Sequence, residues 1–415
     1  MAGCRWCAVA SVGLALLAGP VAARAQAAPK RQAAPVHVAT PPPALRRVQL
    51  GTALRLDALR RDVRYRETFL REFDQLTPEN EMKMQTLQPR RGVYNFSAAD
   101  ELVAFARAEG RRVHGHALVW GLQVPLWLID HGVTENLGLK LPPLSVPDLP
   151  RRLGPPVNDL LTLATGWTRT ELLGIMRSHI DSVVRHFGDG VREWDVVNEP
   201  MAEDGSLRNN VWRRFIGADY VEQALRAAHA ANPSAKLFIN DYAVESPTAK
   251  RSGLLAVVRD LKSRGVPLDG VGLQYHTHIQ GFHDEATLAD TIRAFGALGV
   301  EVQISEMDVG TSLLDGTREQ RLARQAEAYG AAARACNAVL ACSAFTTWGI
   351  TDRVSWLGAG EMPLLFDSQY EPKPAYAAVR SSFAKRSVRG ARRARRVTRP
   401  ALSGRVSVRK STRSS

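Results

Sequence analysis

The chain has 415 residues, 45% of them hydrophobic and 23% charged, an ordinary globular composition with apolar material for one large core. A net charge of +14 suggests nucleic-acid binding, but twelve basic residues lie between Lys385 and Ser415 and six more in residues 1 to 47, with no acid in either segment. Residues 48 to 384 are thus left at −4, which argues against nucleic acid as a partner of the folded body.

In chain order, residues 1–27 read as an export signal. Arg5 is followed by the apolar run Val9 to Ala18, by Gly19-Pro20, and by Ala23, Ala25 and Ala27 at cleavage-site spacing. The run is shorter than the roughly 20 residues a membrane anchor needs, so no membrane contact is expected after signal removal. Cys4 and Cys7 would leave with the signal, so Cys336 and Cys342 remain as an even pair in an oxidising, secreted setting. A disulfide is expected there, two buried thiols being the alternative. Residues 28–46 are Ala/Pro-rich, including Pro41-Pro42-Pro43, and read as a linker.

From 47 to 384 the pattern alternates. Strands are predicted at Val48–Ala53, Asp74–Pro78, Arg112–Val119, Arg192–Asn198, Lys236–Asp241, Gly270–Tyr275, Glu301–Met307 and Ser343–Gly349. Helices are predicted between them at Asp100–Glu109, Thr170–Phe187, Tyr220–Ala231, Thr248–Arg264, Ala286–Leu298 and Glu319–Ala335. Eight strands alternating with helices predict an α/β fold, a single (β/α)₈ TIM barrel. A doubly wound sheet would carry a Gly-rich phosphate turn after its first strand, and Gly51-Thr52-Ala53 is not one. Residues 131–167 hold six prolines and form a long excursion from the barrel rhythm. The basic stretch 385–415 lacks periodicity and reads as a disordered tail.

In such a barrel, chemistry sits where strands end. The predicted ends hold Glu79-Asn80, His116 with Trp120, Asn198-Glu199, Asn240-Asp241-Tyr242, Gln274 with His276, Glu306 with Asp308, and Trp348. There is no His/Cys cluster of zinc spacing and no phosphate-cradling loop, so neither metal nor organic cofactor is expected. Paired acids, amides and indoles suit a neutral, hydroxylated substrate. Glu199 and Glu306 both follow apolar strand interiors, where an idle acid would be costly.

The runs Leu76-Thr-Pro-Glu-Asn-Glu-Met-Lys83, Gly115-His-Ala-Leu-Val-Trp120, Trp194-Asp-Val-Val-Asn-Glu-Pro200 and Ile304-Ser-Glu-Met-Asp308 resemble family 10 of the glycoside hydrolases, the barrel xylanases. So do Glu203-Asp-Gly-Ser-Leu-Arg208, Phe238-Ile-Asn-Asp-Tyr242, Asp352-Arg-Val-Ser-Trp356, Pro363-Leu-Leu-Phe-Asp367 and Pro372-Lys-Pro-Ala-Tyr376. The resemblance spans residues 47 to 384 and implies a retaining endo-1,4-β-xylanase acting on xylan or xylo-oligosaccharides. It implies Glu199 as acid/base and Glu306 as nucleophile. Asn198 would bind the 2-hydroxyl at the cleavage point, and His276 with Asp308 would orient Glu306. Gln274, His116, Trp120, Trp348 and Trp356 would line the sugar on the non-reducing side, with Glu79, Asn80 and Lys83 one sugar further out and Tyr242 under the leaving group. Gln123 and Trp356 would crowd a hexose hydroxymethyl.

Retention needs the two carboxyls about 5–5.5 Å apart, close enough that repulsion keeps one protonated, a role that falls to Glu199. Two departures stand out. Gly121 occupies a position where family members commonly carry histidine, which bears on the working pH of Glu199, and Met84 replaces a frequent tryptophan. Alternative readings are a mixed β-1,4-glucanase/xylanase on the same barrel, or a carbohydrate-binding barrel without activity. The basic tail suits contact with anionic cell-wall polymers or acidic xylan substituents, a solvated tail without a partner being the default reading.

Overall fold

The computed structural model describes residues 48–129, 166–312 and 315–384. The export segment, the linker, the basic tail and nearly all of the proline-rich stretch lie outside the described residues.

The described chain opens with β1 (Gln49–Leu54), α1 (Leu56–Arg61), α2 (Val63–Glu72), β2 (Gln75–Pro78), α3 (Met84–Leu87) and α4 (Ser97–Ala108). Then come β3 (Arg112–Trp120), α5 (Leu126–Ile129), α6 (Arg169–Phe187), β4 (Glu193–Asn198), α7 (Val211–Ile216) and α8 (Tyr220–Ala231). Next are β5 (Lys236–Asp241), α9 (Ala249–Ser263), β6 (Gly270–Leu273), the three-residue β7 (His276–His278) and α10 (Glu285–Gly296). The series closes with β8 (Glu301–Gly310), α11 (Arg318–Ala338) and β9 (Cys342–Thr347), and residues 374–384 are helical.

All ladders are parallel. β1 to β6 pair in sequence, β6 pairs β8, β8 pairs β9, and β9 returns to β1. The result is a closed eight-stranded barrel, which leaves no sheet edge to protect. β7 is an extra strand, pairing the outer half of β8 from His276↔Asp308 to His278↔Gly310.

The predicted strand Gly270–Tyr275 therefore splits. Tyr275 adopts a positive φ of 58°, and its N–H leaves the ladder for Glu245 Oε1 at 2.8 Å. Pairing resumes only at His276, which leaves Gln274 and Glu306 flanking the interruption, with Glu306 N–H donating to the Gln274 carbonyl at 3.1 Å.

Local chemistry sets the helix starts. Thr168 and Thr317 form capping boxes with Glu171 and Gln320 at the heads of α6 and α11, while Thr248, Asp284 and Asn210 accept from first-turn N–H groups of α9, α10 and α7. The helices bury one face against the barrel. In α6 that face comprises Leu172, Ile175, Met176, Ile180, Val183, Val184 and Phe187 at helical spacing.

Cys336, near the end of α11, is bonded to Cys342 at the start of β9, with Cα atoms 5.2 Å apart and a sequence separation of 6. A loop that short restricts the unfolded chain little, so the bond should contribute about 2 kcal/mol. Non-reducing mass spectrometry should find the pair oxidised, and a Cys336→Ala/Cys342→Ala variant should show a correspondingly lower denaturant midpoint. Two free thiols in the isolated protein would contradict the pairing.

Candidate active site

Glu199 stands one residue past β4 with a positive φ of 54°, a left-handed conformation that costs a non-glycine residue on the order of 1 kcal/mol. The N–H that this turn frees is donated to the Asn240 carbonyl of β5 at 2.7 Å. The Glu199 carboxyl is half-buried and accepts from Gln274 Nε2 at 3.2 Å and from Asn198 Nδ2 at 3.4 Å.

Glu306, inside β8, is buried. Asn240 Nδ2 donates to its Oε1 at 2.5 Å, and His276 Nε2 lies 3.2 Å from its Oε2. His116 Nδ1 is 3.9 Å from Oε1. Burial opposes ionisation of Glu306, but His116 and His276 outweigh it and hold the carboxyl below its ordinary range. Burial also opposes a charge on His276; the Asp308 carboxylate, 2.9 Å from Nδ1, together with Glu306 pushes it up to about 10. The Trp356 indole N–H donates to the same Asp308 oxygen at 2.6 Å.

The two acids are thus tied by amides. Asn240 Nδ2 donates to Asn198 Oδ1 at 2.8 Å as well as to Glu306, and Asn198 in turn donates to Glu199. Trp348 packs edge-on against His116, with ring centroids 5.1 Å apart, and Trp356 against His276 at 5.1 Å. Trp356 remains 39% exposed, an aromatic surface at the barrel mouth.

A second group adjoins this one. Lys83 is buried, donates to Asn80 Oδ1 at 3.3 Å, and sits 5.1 Å from the Trp120 ring centroid. Burial lowers the Lys83 affinity for its proton, against the pull of Glu79, Glu306 and Glu199. Burial raises Glu79, and Lys83 and Arg55 offset this only in part. The buried Trp120 indole N–H has no hydrogen-bond partner among the described residues. Gln123 lies in the turn after β3 with φ 48°, and its carbonyl accepts from Gln85 N–H at 3.1 Å. No hydrogen bond among the described residues ties its side chain to either acid.

Tyr242, just past β5, belongs to a third group. Its hydroxyl donates to Glu203 Oε1 at 3.0 Å and accepts from Arg208 Nη2 at 2.7 Å. The buried Lys250 ammonium lies 3.1 Å from the Tyr242 ring centroid and 3.1 Å from Asp241 Oδ1. The ring is half-exposed, and the Arg208 guanidinium carbon lies 5.4 Å from its centroid, so both cations favour its electron-rich faces.

Sequence reasoning named no role for Asn240, Asp195, Lys250 or Arg208. Asp195 Oδ2 is 2.9 Å from His116 Nδ1, and His114 lies behind it at 2.9 Å from Oδ1, so a row of buried ionisable groups runs down the barrel interior. Burial resists charge on both groups, yet mutual attraction holds Asp195 low and His114 high. Asn240 could have been found from strand periodicity, since it lies two residues from Tyr242, a side chain already assigned to the rim.

Gly121 packs against the Asn210 side chain. A Cβ at Gly121 would meet Asn210 Cβ at 2.7 Å and Nδ2 at 3.2 Å. Asn210 caps α7 through Arg213 N–H at 3.0 Å, so it is not free to retreat.

Comparison with known proteins places this site. A family model described as "Glycosyl hydrolase family 10" matches residues 44–382. Endo-1,4-beta-xylanase B of Thermotoga neapolitana is 36% identical over 322 residues, covering 76% of this chain and 82% of that protein. The crystal structure of native xylanase 10B from Thermotoga maritima superposes with a TM-score of 0.71 at 35% identity, covering 83% of this chain and 97% of that one. Xylanase 10B from Thermotoga petrophila RKU-1, solved in complex with xylobiose, gives 0.70 at 33% identity, covering 83% and 98%. With the closed barrel and its carboxylate-lined mouth, these matches establish that the chain belongs to glycosyl hydrolase family 10.

Proposed function

We propose that this glycoside hydrolase is a secreted, retaining endo-1,4-β-xylanase. The observation that carries the reading is the unequal setting of two acids joined by Asn198 and Asn240. Glu306 is buried with His276 and His116 favouring its carboxylate, whereas Glu199 is half-buried and its carboxyl accepts hydrogen bonds from the Asn198 and Gln274 amides. One acid is thus prepared to attack and the other to exchange a proton. In this reading Glu306 attacks the anomeric carbon while Glu199 protonates the departing oxygen. Glu199 then deprotonates the water that cleaves the glycosyl-enzyme with net retention. The exposed Trp356 indole and the half-exposed Tyr242 ring supply aromatic surface of the kind a β-linked sugar chain stacks on. The complex of a relative with xylobiose supports the choice of xylan.

Hydrolysis of xylan and cellulose side by side tests this. Xylan viscosity should fall faster than reducing ends accumulate, cellulose should be spared, and proton NMR should show the β anomer first. An α anomer appearing first would overturn retention, and equal rates on cellulose would overturn the specificity. Export rests on the reading of residues 1–27, and N-terminal sequencing of protein from the culture medium tests it. The basic segment 385–415 is proposed to hold the enzyme near anionic wall polymers.

The charge on His276 has a pH signature. It favours the Glu306 carboxylate, so the acid limb of kcat/KM should lie below the ordinary glutamate range. His276→Ala removes that help, the Glu306 proton is then lost only at higher pH, and the acid limb should move up by about 1 unit or more. A pH–rate profile for the variant that kept the wild-type acid limb would show that His276 does not set the charge of Glu306.

A further inference from the structure

Asn240 is fully buried, and its carboxamide must serve three neighbours. Its two N–H protons go to Glu306 Oε1 at 2.5 Å and Asn198 Oδ1 at 2.8 Å. That leaves a buried carbonyl oxygen, and the Ser305 hydroxyl donates to it at 2.6 Å. The amide would be wrong the other way round, because its oxygen would then face the Glu306 carboxylate and the Asn198 oxygen. Ser305 directly precedes Glu306 in β8, is itself buried, and its hydroxyl is spent on this contact. The neighbouring strand is shaped for it. A Cβ at Gly272 would meet Asn240 Oδ1 at 2.1 Å and Ser305 Oγ at 3.0 Å.

We propose that Ser305 is a positioning residue for both acids, fixing the Asn240 carboxamide so that its N–H groups point to Glu306 and to Asn198. The consequence reaches Glu199 as well. With its oxygen engaged by Asn240, the Asn198 amide presents its own N–H to Glu199. One hydroxyl therefore sets the polarity of a chain running from the nucleophile to the acid/base, and each link assists the next. The inference rests on the assignment of Glu306 as nucleophile, and Glu306→Ala tests that assignment separately.

The acid limb of kcat/KM is one readout. Glu306 is faced by His276 from β7, His116 from β3 with Asp195 of β4 behind it, Lys83 from the β2–α3 turn, and Glu199 from the end of β4. None of these is altered by changing Ser305. Ser305→Ala should lower kcat on xylan about tenfold, the worth of one buried hydrogen bond, with KM within about threefold of wild type. The acid limb should rise by about half a unit, because Asn240 is then less firmly held toward the carboxylate. Ser305→Thr retains the hydroxyl and should restore most of the rate. In an Asn240→Ala background, Ser305→Ala should add less than about a twofold loss, since its route to Glu306 is gone. An unchanged kcat and acid limb in Ser305→Ala would overturn the inference, as would an undiminished effect in the Asn240→Ala background. Should Asn240→Ala fail to fold, the acid limb of Ser305→Ala and the recovery in Ser305→Thr decide the matter. An inactive Glu306→Ala beside a Ser305→Ala of wild-type rate and pH profile would remove this inference alone.

Discussion

Glu306→Ala should lose activity on xylan and on activated aryl xylosides alike, by at least about 10⁴-fold. The covalent step needs a carboxylate oxygen at the anomeric carbon, and leaving-group quality cannot substitute for it. Circular dichroism should match wild type, because alanine fits the space and removes a buried charge that folding has to compensate. The partners are the exposed flank of this expectation. Asn240, His276 and His116 all aim at Glu306, and the variant leaves them facing an empty pocket. A moderate loss of thermal stability beside complete loss of activity is the expected pair of results. Substantial turnover of the aryl substrate by a folded Glu306→Ala protein would remove Glu306 from the nucleophile's role.

Glu199→Ala should split the substrates instead. Xylan and poor phenol leaving groups need a proton, so their cleavage should fall by about 10²–10⁴-fold. An activated aryl xyloside departs unaided and should still load Glu306, after which turnover stalls for want of a base. Azide needs no deprotonation, so it should restore release and yield a β-xylosyl azide. The structure adds a condition. The Glu199 backbone N–H holds the Asn240 carbonyl through a left-handed turn, and alanine tolerates that turn less well than glycine but no worse than glutamate. The substitution therefore removes the carboxyl without releasing β5. Equal losses on both substrate types, with no response to azide, would assign Glu199 to binding or folding.

Much of this architecture was legible in the residues. The eight barrel strands lie close to their predicted spans because alternating apolar runs and polar strand ends coincide in a parallel barrel. The helices of the second half follow, since α9, α10 and α11 begin at Thr248, Asp284 and Thr317, side chains that stop one pattern and start the next. The first two helices were invisible for a physical reason. In α2 the buried positions shrink to Tyr65, Thr68 and Phe69 among charged residues, too few to establish a period. The short β7 was hidden because it depends on the Tyr275 kink, and a positive φ at tyrosine leaves no sequence signature.

The candidate site divides the same way. Glu199, Glu306, Asn198, His276 and Asp308 were singled out by strand ends and by resemblance, and the structure brings them within one hydrogen-bonded group. Asn240 was read only as a strand-end residue and Ser305 only as part of a motif, with no role for either, because neither is unusual in a strand. Their significance lies in which atom of one faces which atom of the other across the barrel. Lys250 was hidden differently, since a lysine near the start of a helix ordinarily points to water, whereas here it is buried under Tyr242.

The contact between Gly121 and Asn210 carries an implication for how this chain can change. The space beside Gly121 is occupied by an asparagine that also begins a helix, so the two positions are entrenched together. Placing an imidazole at residue 121 alone would collide with Asn210, and trimming Asn210 alone would leave α7 uncapped and a void beside Gly121. Each single step is unfavourable while the joint change is open. A search of single substitutions would therefore score Gly121→His and a trimmed residue 210 each as costly, although the joint change is open.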